Sequence, residues 1–190
     1  MSADFAAQRA NMVESQVRTA DVTDYAIQDA MRITPRETLA PADKAYLAYA
    51  DVEVPYAPGR WLLRPRDIGK LLQALRPRAG ETALAIAAPY AAAVMDAMGL
   101  AVTRLDEGEL TQPAGRYDVV ISEGAVSEVP AAWLSAMAEP QGRLGVVVRS
   151  GPVGRARLYL PADGGAGWRD LFDCAPPIMA GFEAKREFAF

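Results

Sequence analysis

The chain has 190 residues, 51% of them hydrophobic and 23% charged, a composition typical of one globular domain. It contains no histidine and one cysteine, which excludes histidine-based catalysis, histidine zinc sites, intrachain disulfides and cysteine metal clusters. The net charge of −4 argues against a general binder of nucleic acids or anionic membranes. No apolar run has the length of a membrane span, and residues 1–5 lack a signal-peptide pattern, so we expect a cytoplasmic protein without membrane insertion.

Residues 1–78 are predicted to form the helical and loop region of this single domain. Apolar spacing predicts helices over residues 5–17 and 23–31, the second of them capped by Thr23. Pro41 begins a third predicted helix. Prolines and glycine between residues 51 and 66 indicate loop or edge structure. A helix follows from Asp67 to Leu75, with its apolar residues on one face.

Residues 79–190 change to a strand–helix rhythm, which predicts a reduced α/β core. Continuous apolar strands alternating with helices indicate a mostly parallel sheet covered on both faces, with an antiparallel pair at its end. The predicted strands are 82–87, 100–105, 117–122, 143–149, 155–160 and 185–190, and the predicted helices are 90–98 and 130–138. A loop containing Gly164 to Gly167 separates the last two predicted strands.

Four stretches of the chain, in this order, resemble segments of the protein-L-isoaspartate O-methyltransferase family. They are residues 31–37 (MRITPRE), 48–55 (AYADVEVP), 117–121 (YDVVI) and 134–144 (LSAMAEPQGRL). The resemblance implies a Rossmann-like S-adenosylmethionine methyltransferase sheet whose last strand is antiparallel. It also implies the family's activity, which is methylation of the abnormal carboxylate of isoaspartyl residues in damaged proteins.

The chain departs from the family pattern where the cofactor would bind. The acidic, glycine-rich loop expected after the first core strand is replaced by residues 84–90 (LAIAAPY). Alanine in a left-handed conformation costs roughly 1–2 kcal/mol. Pro89 has no N–H to donate. One strand and one helix of the family pattern are also missing between Glu107 and Tyr117, so the sheet is expected to be shorter by about one β–α unit.

If the cofactor is S-adenosylmethionine, the resemblance places its site at six residues, and it predicts no catalytic side chain. These residues are Ala87, Ala88, Tyr90, Asp106, Glu107 and Glu123. Asp106 or Glu107 is then the acid that holds the ribose hydroxyls; alternatively both are solvated turn residues. Glu123 follows a predicted strand, so it either faces a cleft at the carboxyl ends of the strands or serves as a turn or capping acid.

The segment that grips the substrate in the family has also changed, with Trp61 and Leu63 in place of hydroxyl residues. Arg60, Trp61 and Arg64 are candidates for a protein-contact surface, because tryptophan and arginine are enriched in binding hot spots; alternatively Trp61 is a lid residue on the core. The wider basic cluster is either a solvated helix face or a contact for an acidic surface or a nucleic acid. Its members are Arg60, Arg64, Arg66, Lys70, Arg76 and Arg78.

Two functions remain open from the sequence. The first is a member of the family that has lost catalysis, binds no cofactor and acts as a protein-binding module or accessory subunit of a larger complex. The second is an active S-adenosylmethionine-dependent isoaspartyl methyltransferase with a non-standard cofactor loop. The altered loop favours the first, since a methyltransferase depends on a formed pocket that orients both reactants. Protein partners are expected, and neither a metal nor a nucleic acid is.

Overall fold

The computed structural model describes residues 4–184, which form five α-helices and eight β-strands. Helices α1 (Phe5–Met12) and α2 (Tyr25–Ile33) come first, followed by a hairpin of β1 (Val54–Ala57) and β2 (Arg60–Leu62). The other elements are α3 (Pro65–Leu75), β3 (Thr82–Ile86), α4 (Pro89–Ala97), β4 (Ala101–Leu105), β5 (Val119–Val126), α5 (Ala131–Ser135), β6 (Arg143–Ser150), β7 (Val153–Ala162) and β8 (Gly165–Asp173). None of the helices described is long and apolar enough to cross a membrane.

The main sheet has six strands in the order β4-β3-β5-β6-β7-β8. Strands β3 to β6 pair in parallel, β7 runs antiparallel to β6, and β8 runs antiparallel to β7. The predicted α/β class, with a mostly parallel sheet and one antiparallel end, is therefore confirmed. Residues 106–118, between β4 and β5, contain no helix and no strand of this sheet, which agrees with the missing β–α unit.

Helix α3 packs on the sheet through the face that its spacing predicted. Ile68, Leu71, Leu72 and Leu75 are fully buried, and burying each such side chain stabilises the fold by about 1.5–3 kcal/mol. The sheet accommodates them because β6 carries Gly145, where a Cβ atom would lie 2.9 Å from the Leu75 side chain. This close approach places the C-terminal end of α3 over the amino end of β6.

The predicted partner of the last antiparallel strand was wrong. Strand β7 pairs with β8, and the register runs from Ala162 opposite Gly165 to Arg155 opposite Asp173. Gly165 and Gly167, predicted to lie in a loop, therefore belong to a strand. The strand predicted at Lys185–Phe190 lies outside the described residues.

Several predicted boundaries in the helical segments also change. Helix α1 ends at Met12 and continues as a π-helical turn, Val13–Val17. Asp24, rather than Thr23, caps α2, because its carboxylate accepts a hydrogen bond from the Ala26 N–H at 2.9 Å. The helix predicted to begin at Pro41 is a 3₁₀ segment, Ala42–Leu47, and the helix predicted over 130–138 is limited to Ala131–Ser135.

Candidate functional site

Strand β5 carries a buried carboxylate at the carboxyl end of the sheet. The sequence predicted that Glu123 follows the strand, but β5 continues to Val126 and Glu123 lies within it, with no exposed surface. Its Oε1 atom accepts a hydrogen bond from the Ala91 N–H at 2.6 Å, and Oε2 accepts one from the Leu63 N–H at 3.3 Å. Ala91 lies in the first turn of α4, so the carboxylate occupies a helix N-terminus, which is a natural site for an anion.

Arg36 supplies positive charge to the same buried region. Its Nε atom donates to the Ala48 carbonyl at 2.8 Å, a further guanidinium nitrogen donates to the Leu63 carbonyl, and the group lies 4.6 Å from the centre of the Tyr90 ring. Sequence reasoning included Arg36 only as part of a family motif. Its neighbours Pro35 and Glu37 do not belong to an apolar run, so the sequence gives no signal that Arg36 is buried.

Arg36 and Glu123 are groups of opposite charge, and both are fully buried. Burial raises the pKa of Glu123 to about 7, although attraction to Arg36 and hydrogen bonds from backbone N–H groups favour the charged form. Burial lowers the pKa of the Arg36 guanidinium. Burial is also the main reason that the pKa values of Tyr56 and Tyr90 rise, and the charge of Glu123 adds to both.

The segment that replaces the family's glycine-rich loop is buried in the fold. Ala87, Ala88, Pro89 and Tyr90 are all buried, and Ala87 has a φ of +45°, in the left-handed region. The backbone thus keeps a conformation that suits glycine, at a cost of roughly 1–2 kcal/mol for alanine. Pro89 is the first residue of α4 and offers no N–H to a ligand.

A covering segment, residues 177–182, lies across the carboxyl end of β5. The Met179 N–H donates to the Ala125 carbonyl at 2.9 Å, and the Ser127 N–H donates to the Phe182 carbonyl at 2.9 Å. The fit over Gly124 is close, since a Cβ atom there would lie 2.6 Å from Met179 Cγ. Met179 therefore occupies the space above the strand.

The six residues predicted to bind the cofactor fall into two groups. Four of them are buried: Ala87, Ala88, Tyr90 and Glu123. Asp106 and Glu107 are exposed in the turn after β4, and neither side chain hydrogen-bonds to another of residues 4–184. The structure therefore does not bring the six together around one open cleft, and their role in binding stays a prediction.

The three residues predicted to form a contact surface are largely used inside the molecule. Arg60 donates to the carbonyls of Gly59 at 2.9 Å and Ala180 at 3.0 Å, which ties the β1–β2 hairpin to the covering segment. Arg64 forms ion pairs with Glu53 at 3.2 Å and Asp67 at 2.8 Å. Trp61 is half-buried in β2. Arg60 therefore joins the hairpin to the covering segment at this end of the sheet.

The fold is shared with known methyltransferases. A Plasmodium falciparum protein-L-isoaspartate O-methyltransferase in complex with S-adenosyl-L-homocysteine superposes with a TM-score of 0.72 at 14% identity, covering 90% of this chain and 97% of that one. A second solved protein-L-isoaspartate O-methyltransferase gives a TM-score of 0.71 at 18% identity, covering 91% and 66%. The class is therefore the Rossmann-like methyltransferase fold.

Sequence similarity then gives the family. The chain is 32% identical over 198 residues to the protein-L-isoaspartate O-methyltransferase of Methylorubrum extorquens (strain PA1), covering 90% of this chain and 84% of the relative. It is 33% identical over 180 residues to the protein of that name from Methylorubrum populi, covering 80% and 84%. No family model matches the chain. The chain belongs to the protein-L-isoaspartate O-methyltransferase family.

The described residues do not fit S-adenosylmethionine, the cofactor that this family implies, in the conformation of the structure. That cofactor carries a carboxylate, yet the N–H groups that begin α4 are bonded to Glu123 or absent at Pro89. The side chains of Tyr90 and Met179 are buried in the adjoining space with no exposed surface. A cofactor would have to break the hydrogen bonds of Glu123, in a region where the Tyr90 hydroxyl and one Arg36 guanidinium nitrogen are buried without a hydrogen-bond partner among the described residues.

Proposed function

We propose that this chain is a member of the family that has lost S-adenosylmethionine-dependent catalysis and acts in the cytoplasm as a protein-binding module or accessory subunit. The observation that carries the proposal is the buried Glu123 carboxylate at the N-terminus of α4. A charged ligand at that helix end would have to compete with a carboxylate that the chain itself supplies.

A bound cofactor would disturb the buried hydrogen bonds of Glu123 and its charge contact with Arg36. Removing Glu123 from the helix end leaves the Ala91 and Leu63 N–H groups unsatisfied and takes a negative charge away from buried Arg36. Each unsatisfied buried donor costs about 1–3 kcal/mol, and an unpaired buried charge costs more. Binding would have to offset these costs and the displacement of Met179.

The protein-binding role follows from the part of the family's function that needs no cofactor. The relatives are named for action on proteins, so recognition of a polypeptide belongs to their function as much as methyl transfer does. A chain that keeps the fold without the cofactor site would act through polypeptide recognition alone, on a surface other than the altered segment that carries Trp61 and Leu63. The single cysteine, whose burial raises the pKa of its thiol to about 12, is compatible with a reducing cytoplasm.

A second candidate function is favoured by the relatives' names. Proteins 32–33% identical to this chain over most of its length are called protein-L-isoaspartate O-methyltransferases. An active enzyme of that kind would use S-adenosylmethionine to methylate isoaspartyl residues in damaged proteins. It would have to move the covering segment and release Glu123 from α4 before the cofactor could enter.

One experiment separates the two functions. The purified chain is titrated with S-adenosylmethionine and S-adenosylhomocysteine by calorimetry, and methyl transfer to an isoaspartyl peptide is measured alongside an active relative. We expect no heat, no thermal shift at millimolar ligand and no transfer. A ligand at 100 times its dissociation constant would add about 2.7 kcal/mol of stability, which a thermal melt detects. Binding of either nucleoside with methylation of the peptide would overturn the proposal.

A further inference from the structure

A groove opens at the amino end of the sheet, the end opposite Glu123. Its larger part has a volume of about 720 Å³ and lies between α3, the loop before α2 and β8. A second part, of about 330 Å³, continues along the amino ends of the strands and shares Ala74, Arg76, Arg78 and Arg169 with the first. The two parts therefore form one continuous depression along the edge of the sheet.

The walls of this groove are held in place by side chains that are already engaged. Gln73 Oε1 accepts from the Thr23 N–H at 2.6 Å and the Asp24 N–H at 3.0 Å, and its amide donates to the Asp21 carbonyl at 2.8 Å. On the other side, Arg143 pairs with Glu81 at 2.6 Å and donates to the Arg76 carbonyl at 2.8 Å. The groove is thus a fixed feature of the scaffold.

The groove is lined by arginine side chains that have no acidic partner among the described residues. The basic cluster predicted between residues 60 and 78 divides, since Arg64 and Arg66 pair with acids whereas Arg76 and Arg78 are exposed. Arg76, Arg78 and Arg169 form no ion pair with any of residues 4–184. Lys70 lies 4.5 Å from the centre of the Phe172 ring. The acids of the groove are Asp21 and Asp24 at one end, and Glu81, which Arg143 neutralises.

Strand β8 borders this groove and ends the sheet. It contributes Arg169, Leu171 and Phe172 to the lining, and no strand within the described chain pairs with its outer edge. An edge of this kind presents backbone N–H and C=O groups to an added strand. Cationic side chains beside an open edge match an extended peptide that carries carboxylates. A nucleic acid fits less well, because the chain as a whole carries a net charge of −4.

We infer that the groove between α3 and β8 binds an acidic, extended segment of a partner protein, which adds to β8 as a further strand. Its carboxylates, which alternate strand residues place on one face, would meet Arg76, Arg78 and Arg169. This inference names the surface and the partner class for the protein-binding role proposed above, and it rests on that role. It does not depend on the state of the cofactor site, which lies at the other end of the sheet.

The test is fluorescence anisotropy of the full chain with a labelled peptide of alternating glutamate and valine. We expect saturable binding that weakens several-fold between low and physiological salt, as contacts between exposed charges do. The double variant Arg78→Glu/Arg169→Glu should weaken binding at least tenfold. The control Arg104→Glu/Arg116→Glu makes the same change of net charge at two exposed arginines outside the groove, which pair with Asp96 and Glu139, and it should change affinity less than twofold.

Two further probes test strand addition and partner class. A glutamate–valine peptide that is N-methylated at every residue has the same charge but no backbone N–H to donate to β8, so it should bind at least tenfold more weakly. Equal binding of the two peptides would overturn the inference, as would tighter binding of a single-stranded oligonucleotide that Arg78→Glu/Arg169→Glu abolishes. Absent binding of the glutamate–valine peptide by the wild-type chain would also overturn it. Titrating S-adenosylmethionine into the same samples reports separately on the loss of the cofactor site.

Discussion

The two ends of the sheet use arginine in opposite ways. At the carboxyl end, Arg36 is fully buried, its hydrogen bonds go to carbonyls of the chain, and Glu123 provides its counter-charge. At the amino end, Arg78 and Arg169 are exposed and form no ion pair with the described residues. The charge of Arg36 is used in contacts inside the fold, whereas the charges of Arg78 and Arg169 remain available to a binding partner. In this family member, the end where ligands of parallel sheets bind is occupied by buried side chains that hydrogen-bond to the backbone of the chain itself.

The largest effect is expected from Arg36→Leu. The change leaves the Ala48 and Leu63 carbonyls without their donor and Glu123 without nearby positive charge. Breaking a buried charge arrangement from one side costs about 3–5 kcal/mol. Urea unfolding followed by circular dichroism measures this loss, with Arg60→Leu in the nearby hairpin as a less buried comparison. A loss no greater than that of Arg60→Leu would contradict the importance of the buried arrangement.

The second effect is a dependence of stability on pH that Glu123 causes. The pKa of its carboxyl is about 7 in the folded chain and 4.5 as the reference value, so folding favours the protonated form. The resulting stabilisation is complete below about pH 4.5 and is lost as the pH rises through about 7, a change of roughly 3 kcal/mol. Glu123→Gln should remove this change of the unfolding free energy between pH 5 and pH 8, whereas the exposed substitution Glu128→Gln should leave it in place. An unchanged slope in Glu123→Gln would assign the titration to another group.

A smaller effect is expected where the covering segment meets β5. Gly124→Ala places a methyl group 2.6 Å from Met179 Cγ at a φ of +116° and should cost about 1–3 kcal/mol. Gly108→Ala is a matched control, because its φ of +80° gives backbone strain with nothing within 4 Å of the new Cβ atom. Thermal melts of the two variants isolate the contact with Met179. Equal losses of stability in the two variants would mean that the covering segment moves away from the new methyl group at no free-energy cost.

The smallest effect is expected at the open end. Arg78→Gln and Arg169→Gln remove exposed charges that pair with no described acid, so each should change stability by less than about 0.5 kcal/mol. The measurement is the urea midpoint of each variant at neutral pH. A loss above about 1 kcal/mol would show that these arginines support the fold and are not available for a partner.

Periodicity was sufficient to predict the parts of the fold that are locally regular. The buried face of α3 and the parallel strands follow from runs of apolar residues in the sequence. The far end of β5 could not be predicted, because Ser122, Glu123 and Gly124 are typical of the end of a strand. The strand continues past Glu123 because Ala125 and Val126 pair with β6, and the buried Glu123 carboxylate is satisfied by N–H groups of Leu63 and Ala91, far away in sequence.

The edge strand was missed for a different reason. Gly165 and Gly167, followed by charged residues, are typical of a loop, and exposed edge strands share that composition because they avoid aggregation. Of the site residues, Glu123 was identified from its place beside a strong strand. Arg36 was not, because the arginine of a sequence motif does not reveal whether it is exposed or buried until the surrounding elements are packed.

The hydrogen bonds of Glu123 also have a consequence for how the chain folds. They connect the end of the β1–β2 hairpin, the start of α4 and the middle of β5, so segments from both halves of the sequence must come together before any of these bonds is complete. Contacts between distant parts of a chain slow folding and make it more cooperative. The N-terminal region and the sheet should therefore melt in a single transition, and neither half should be stable when it is expressed without the other.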